Sequence, residues 1–234
     1  MKCLVCIHGL LSDKKDFSYL ANALKPYYDA IELRDMPGHG DNKAPFKTEA
    51  IERFYLELLE HLAIKYDVID LMGYSLGGVV ACYLQQRQKI RKLILLAPAY
   101  RYLNLKNYPF LVPKEKGTKK ETLPLKKQMA YLWRFQSVVR SLSHGFSMIG
   151  CETLILWGDE DYLVKESSGM LLYRLVKHPN RRYLILKGIN HFNLLFSAHT
   201  LFEIQNFLND GINPSLLGHR KEGGDKDDRK NRWI

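Results

Sequence analysis

An α/β fold is expected from this chain, a mostly parallel sheet of about six strands flanked by helices, and three observations predict it. Six segments of strand length alternate with stretches of helical periodicity, the pattern of right-handed βαβ units. Hydrophobic residues are 46% and charged residues 26% of the 234 residues, close to globular averages. That excludes a disordered chain and a collagen-like or coiled-coil polymer. No run approaches the roughly 18 apolar residues that cross a bilayer.

Residues 3–7 are uniformly apolar and end in His8-Gly9, as a strand covered on both faces does. Residues 17–24 are amphipathic and helical, stopped by Pro26. Residues 29–33 form the second strand, followed by the turn Asp35-Met36-Pro37-Gly38-His39-Gly40. In 48–66, Ile51, Phe54, Tyr55, Leu58, Leu59 and Leu62 make the stripe of a core-facing helix. Residues 67–72 are the third strand, 76–88 a helix and 90–96 the fourth strand. Strands at 151–157 and 182–186 complete the sheet, with helices over 167–176 and 196–208.

Two segments break this rhythm. Residues 99–150 hold three Xaa-Pro steps, a lysine-rich stretch and a helical pattern over 126–142, and read as a small inserted cap. Residues 210–234 are polar and read as a disordered tail, leaving 1–98 and 151–209 as the core. Net charge is +10, and its excess is local. Between Arg101 and Arg140 stand ten basic residues against Glu115 and Glu121. A nucleic-acid motif is missing, so a nucleic-acid partner is not expected despite the basic pI.

Cys3, Cys6, Cys82 and Cys151 lie in apolar segments and are too few to staple a chain of this length. The Cys3 and Cys6 side chains fall on opposite faces of a strand, which disfavours a redox or metal pair. Met1-Lys2 leads at once into the first strand without a signal-peptide apolar region, so a reducing cytoplasm is expected.

The chemistry gathers at three loops. Gly73-Tyr74-Ser75-Leu76-Gly77 closes a strand and opens a helix, the context in which G-x-S-x-G is a nucleophile elbow. A serine hydroxyl needs a base, and His191 lies just beyond the last strand, at the same sheet edge as Ser75. His8 ends the first strand where a base would crowd the site, and His39 sits inside a turn that it helps to shape. An acid should orient the base, and Gly158-Asp159-Glu160-Asp161 offers three at the same edge, between which spacing does not choose.

With these motifs in order, the chain resembles the α/β-hydrolase superfamily over residues 1–209, and most closely its small bacterial esterase, lipase and lysophospholipase-like members. His8-Gly9-Leu10-Leu11 resembles the oxyanion loop, residues 35–40 the D-x-P-G-x-G turn, and Gly188-Ile189-Asn190-His191 the G-x-x-H loop. Gly158–Val164 matches G-x-x-D-x-x-V, which implies Asp161 as the acid, with Asp159 in reserve. The resemblance implies ester cleavage through an acyl-serine on a Ser75-Asp161-His191 triad, with Leu10 and Leu76 N–H groups as the oxyanion hole. No metal or organic cofactor is implied. Similar proteins select substrate in the insert, where Tyr131, Trp133 and Phe135, together with Tyr74 beside the nucleophile, are the candidate acyl contacts. Basic residues among aromatics suit an anionic or lipid-like ester, or contact with a membrane surface. A thioesterase, a carbon–carbon hydrolase or lyase, and a non-catalytic binding protein are the alternatives on the same scaffold.

Overall fold

The computed structural model describes residues 1–101 and 125–209, and of 125–131 the backbone alone. Its strands are β1 (Lys2–Ile7), β2 (Ala30–Leu33), β3 (Val68–Tyr74), β4 (Lys92–Leu96), β5 (Glu152–Gly158) and β6 (Arg181–Leu186). They form one sheet in the order β2-β1-β3-β4-β5-β6, and every neighbouring pair is parallel. The helices are α1 (Ser18–Leu24), α2 (Thr48–Lys65), α3 (Leu76–Leu84), α4 (Leu125–His144), α5 (Glu166–Leu175) and α6 (Ala198–Asn209).

The order explains the layering. The crossover from β1 to β2 runs one way along the sheet, and those from β3 onward run the other way. Right-handed crossovers in opposite directions place α1 on one face and α2 to α5 on the other. Accordingly α1 packs with α6, while α2, α3 and α4 pack together. With both faces covered, β1, β3, β4 and β5 bury nearly every residue, and Cys3 and Cys6 are both buried although they point to opposite faces. Between β1 and β3 the winding reverses, which opens a crevice at the strand carboxyl ends.

Small departures from expectation have local causes. Strand β3 runs on to Tyr74 because Gly73 and Tyr74 pair with Leu95 and Leu96 of β4. Helix α3 stops at Leu84 rather than residue 88, where Gln85 and Gln86 turn their side chains onto the Met148 carbonyl. Helix α6 starts at Ala198 because Ser197 Oγ accepts from the His199 and Thr200 N–H groups, an N-cap. The expected helix within the insert is α4, which buries Leu132, Phe135, Val138, Val139 and Leu142. The rest of the expected cap, over 102–124, and the expected tail, over 210–234, lie outside the described residues. Among the described residues no helix is long and apolar enough to cross a membrane.

Candidate active site

Ser75 ends β3 and caps α3 with φ 53° and ψ −116°. This conformation is costly for any side chain, roughly 1–3 kcal/mol, and persists only where the surroundings over-determine it. Here they do. The Ser75 N–H donates to the Leu96 carbonyl, and the Ser75 carbonyl accepts from the Gly78 and Ala99 N–H groups. A Cβ on Gly77 would lie 1.9 Å from the Ile7 carbonyl oxygen, and one on Gly73 would lie 2.4 Å from the Gly77 oxygen. Only glycine permits the chain to turn this tightly against β1. The other non-glycine residues with positive φ among those described are Leu11 (57°) and Ala97 (43°), in the loops after β1 and β4. Backbone strain thus collects at the strand carboxyl edge.

The loop after β1 abuts the elbow: a Cβ on Gly9 would come within 3.2 Å of Ser75 Cβ and of the Tyr74 ring. Among the described residues, neither the Leu10 nor the Leu76 backbone N–H donates to a protein acceptor. Behind this loop His8 is fully buried; its Nε2 accepts from the Met36 N–H at 2.9 Å, while Nδ1 lies 2.8 Å from the Gly9 carbonyl oxygen. That pattern places the proton on Nδ1 and makes His8 a structural link, as the sequence suggested by setting it aside as a base. Burial pushes His8 below the usual histidine range and His39, beside it at 5.3 Å between ring centroids, down to about 4.

Asp35 ties the far end of the same loop through Lys14. Its carboxylate accepts from the Lys14 N–H and ammonium at 2.9 Å each and from the Asp41 N–H at 3.0 Å. Burial alone would raise this carboxyl, but those donors outweigh it and hold it at about 2. Gly40, with φ 50°, leaves the room: a Cβ there would sit 2.4 Å from the Asp35 carboxyl carbon. The turn motif was legible in the sequence, whereas the partnership with Lys14 was not, being 21 residues away.

His191 follows β6 in a loop ordered by Gly188 (φ 68°) and by the Asn190 side chain, which accepts from the Phe192 and Asn193 N–H groups. Its Nδ1 meets Asp161 Oδ2 at 2.6 Å, and both side chains are buried. Asp161 Oδ1 accepts from the Leu163 and Val164 N–H groups, so the carboxylate is fixed at both oxygens. Asp159, the reserve candidate, instead accepts from the Gly188 N–H at 2.7 Å and joins the acid loop to the histidine loop. The Tyr74 ring lies 5.0 Å from the His191 ring, and the Tyr74 hydroxyl donates to the His191 carbonyl oxygen at 3.1 Å.

The candidate acyl contacts separate. Tyr74 is buried with its hydroxyl engaged by His191, and Phe135 is 3% exposed in the core, whereas Trp133 is 68% exposed. The Tyr131 side chain lies outside the described residues. Among the described residues no three of His, Cys, Asp and Glu gather in a way that could hold a metal ion.

A six-stranded parallel sheet, a strained serine at its switch point and a histidine–carboxylate pair in loops at the same sheet edge fit one class: the chain belongs to the Alpha/beta hydrolase family, which it matches over residues 4–203. Among individual proteins it is similar to the uncharacterized hydrolase YugF of Bacillus subtilis (strain 168), 32% identical over 99 residues, covering 40% of this chain and 35% of that one. It is also 35% identical over 113 residues to the pimeloyl-[acyl-carrier protein] methyl ester esterase of Neisseria meningitidis serogroup C, covering 47% and 41%. The matched stretch thus spans well under half the length of these curated relatives. A solved structure described under two metagenome-derived lipolytic enzymes, LipS and LipT, superposes with a TM-score of 0.71 at 18% identity, over 89% of this chain and 94% of that one. The chain is a hydrolase-family protein with esterase and lipase neighbours.

Proposed function

We propose that the chain hydrolyses carboxylic esters through an acyl-serine intermediate, with Ser75 as nucleophile, His191 as base and Asp161 as the orienting carboxylate. The observation that carries this reading is the 2.6 Å hydrogen bond between His191 and Asp161, at the sheet edge that also strains Ser75. With its Nδ1 proton engaged by Asp161, His191 is left with Nε2 to take the Ser75 proton as Oγ attacks the carbonyl carbon. The oxyanion would be met by the Leu10 and Leu76 N–H groups, each such donor lowering the barrier by roughly 3–4 kcal/mol. Collapse expels the alcohol, protonated by His191. Water activated by the same ring then cleaves the acyl-serine to the free acid and restores Ser75. The methyl ester esterase relative supports an ester as the bond. The basic, aromatic insert over 99–150 is assigned to substrate selection, favouring anionic or lipid-like esters.

The test is Ser75→Ala, expected to abolish turnover and fluorophosphonate labelling while the fold persists; labelling that survives would show another nucleophile. Wild type is assayed on p-nitrophenyl esters of increasing length, monoacylglycerol, lysophospholipid and an acyl thioester, each at low and high salt. Ester turnover is expected, with salt slowing only the anionic substrates. Turnover of the thioester alone would move the reading to a thioesterase.

A further inference from the structure

We infer that Tyr74 is a positioning residue for the catalytic histidine, its hydroxyl holding the His191 main chain while its ring carries the imidazole and the Gly9 loop. This deepens the hydrolase reading and rests on it.

The two residues are 117 positions apart, yet the Tyr74 hydroxyl donates to the His191 carbonyl oxygen at 3.1 Å in a buried setting. The rings are 5.0 Å apart and inclined by 38°, so the phenol flanks the imidazole. The Tyr74 ring also lies close against Gly9, where an added Cβ would come within 3.2 Å of it. One side chain therefore spans three loops: the elbow that carries Ser75, the loop that precedes Leu10, and the loop that carries His191. The Asp161 pair fixes the His191 ring at Nδ1, and the ties between its loop and the acid loop, Gly188 to Asp159 and Ile189 to Glu160, stop two residues short of His191, so its own main chain needs a second point. The Tyr74 hydroxyl supplies that second point. Two points fix the direction of Nε2; one does not. Because the phenol is 5% exposed and its hydroxyl is already committed, its action is on the histidine and not on the acyl chain.

The experiment compares wild type, Tyr74→Phe and a variant with 4-aminophenylalanine at position 74, which keeps a donor on the same ring. Each is assayed for kcat and KM on a short and a long p-nitrophenyl ester, and for the downfield Nδ1 proton of His191 by NMR. The expected result is a fall in kcat of about tenfold for the Phe variant, by the same factor on both esters, with KM unchanged. Its downfield proton should broaden through exchange, and the aminophenyl variant should recover both readouts. A Phe variant with wild-type kcat, a change confined to KM, or a loss that differs between the esters would overturn the inference. So would an aminophenyl variant no better than Phe, or a Phe variant that unfolds at the assay temperature, since the hydroxyl would then hold the fold and not the histidine. Wild type without turnover or Ser75 labelling would instead remove the hydrolase reading itself, so the two failures are distinguishable.

Discussion

At Ser75 the main chain is bent so that one hydroxyl can stand clear of its own helix, and glycines around it absorb the crowding. The 1.9 Å approach of a Gly77 Cβ to the Ile7 carbonyl oxygen concerns backbone against backbone, where no rotamer change can help. Gly77→Ala is therefore expected to cost more than about 3 kcal/mol or to abolish folding, read by thermal unfolding or soluble yield. A variant that melts with wild type would show that the elbow does not approach β1 this closely. The G-x-S-x-G spacing disclosed the elbow, because steric demand confines residue choice there. The choice between Asp159 and Asp161 was not legible from spacing, since both stand at one sheet edge and only the loop's folding directs one to His191 and the other to Gly188.

Elements were easier to read than their joints. The central strands β1, β3, β4 and β5 were legible as apolar runs because a sheet covered on both faces wants no alternation, whereas the half-buried edge strands β2 and β6 carry Glu32 and Arg181-Arg182. The end of α3 was not, since it is set by Gln85 and Gln86 reaching Met148, a contact no local pattern encodes. Helix α4 shows the same limit. Aromatic content alone made Trp133 and Phe135 look equivalent, but packing against α3 and α2 buries only Phe135. Phe135→Ala should lower stability by about 3 kcal/mol or more, whereas Trp133→Ala should stay within about 0.5 kcal/mol in denaturant titration. Equal costs would mean that α4 is not seated on the core through this face.

Across the whole molecule, buried charge is divided between the two ends of the sheet. At the amino ends Asp70, fully buried, accepts from the Tyr28 hydroxyl, the Arg91 guanidinium and the Lys92 N–H, a satisfied structural cluster. At the carboxyl ends lie His8, His39 and Asp35, whose titration sets the response to acid. Burial lowers both histidines, so the unfolded chain binds protons near its ordinary value of 6.5 while the folded chain stays neutral. Stability is then lost as pH falls below 6.5, for His39 down to about 4. Asp35 adds stability that is full above 3.8 and lost as pH falls toward 2. Denaturant unfolding should thus show a level plateau around pH 7 to 8, bounded above by the buried thiols that ionise near 9 only in the unfolded chain, and below 6.5 a decline of about 1 kcal/mol per pH unit from His39, with His8 acting in the same direction. A plateau extending down to pH 5 would contradict this. The Lys14–Asp35–Asp41 joint at the end of the Gly9 loop also bears on heredity. In a random library screened for the proposed ester turnover, inactivating changes are expected to form an island at positions 14, 35 and 40, outside the proposed triad.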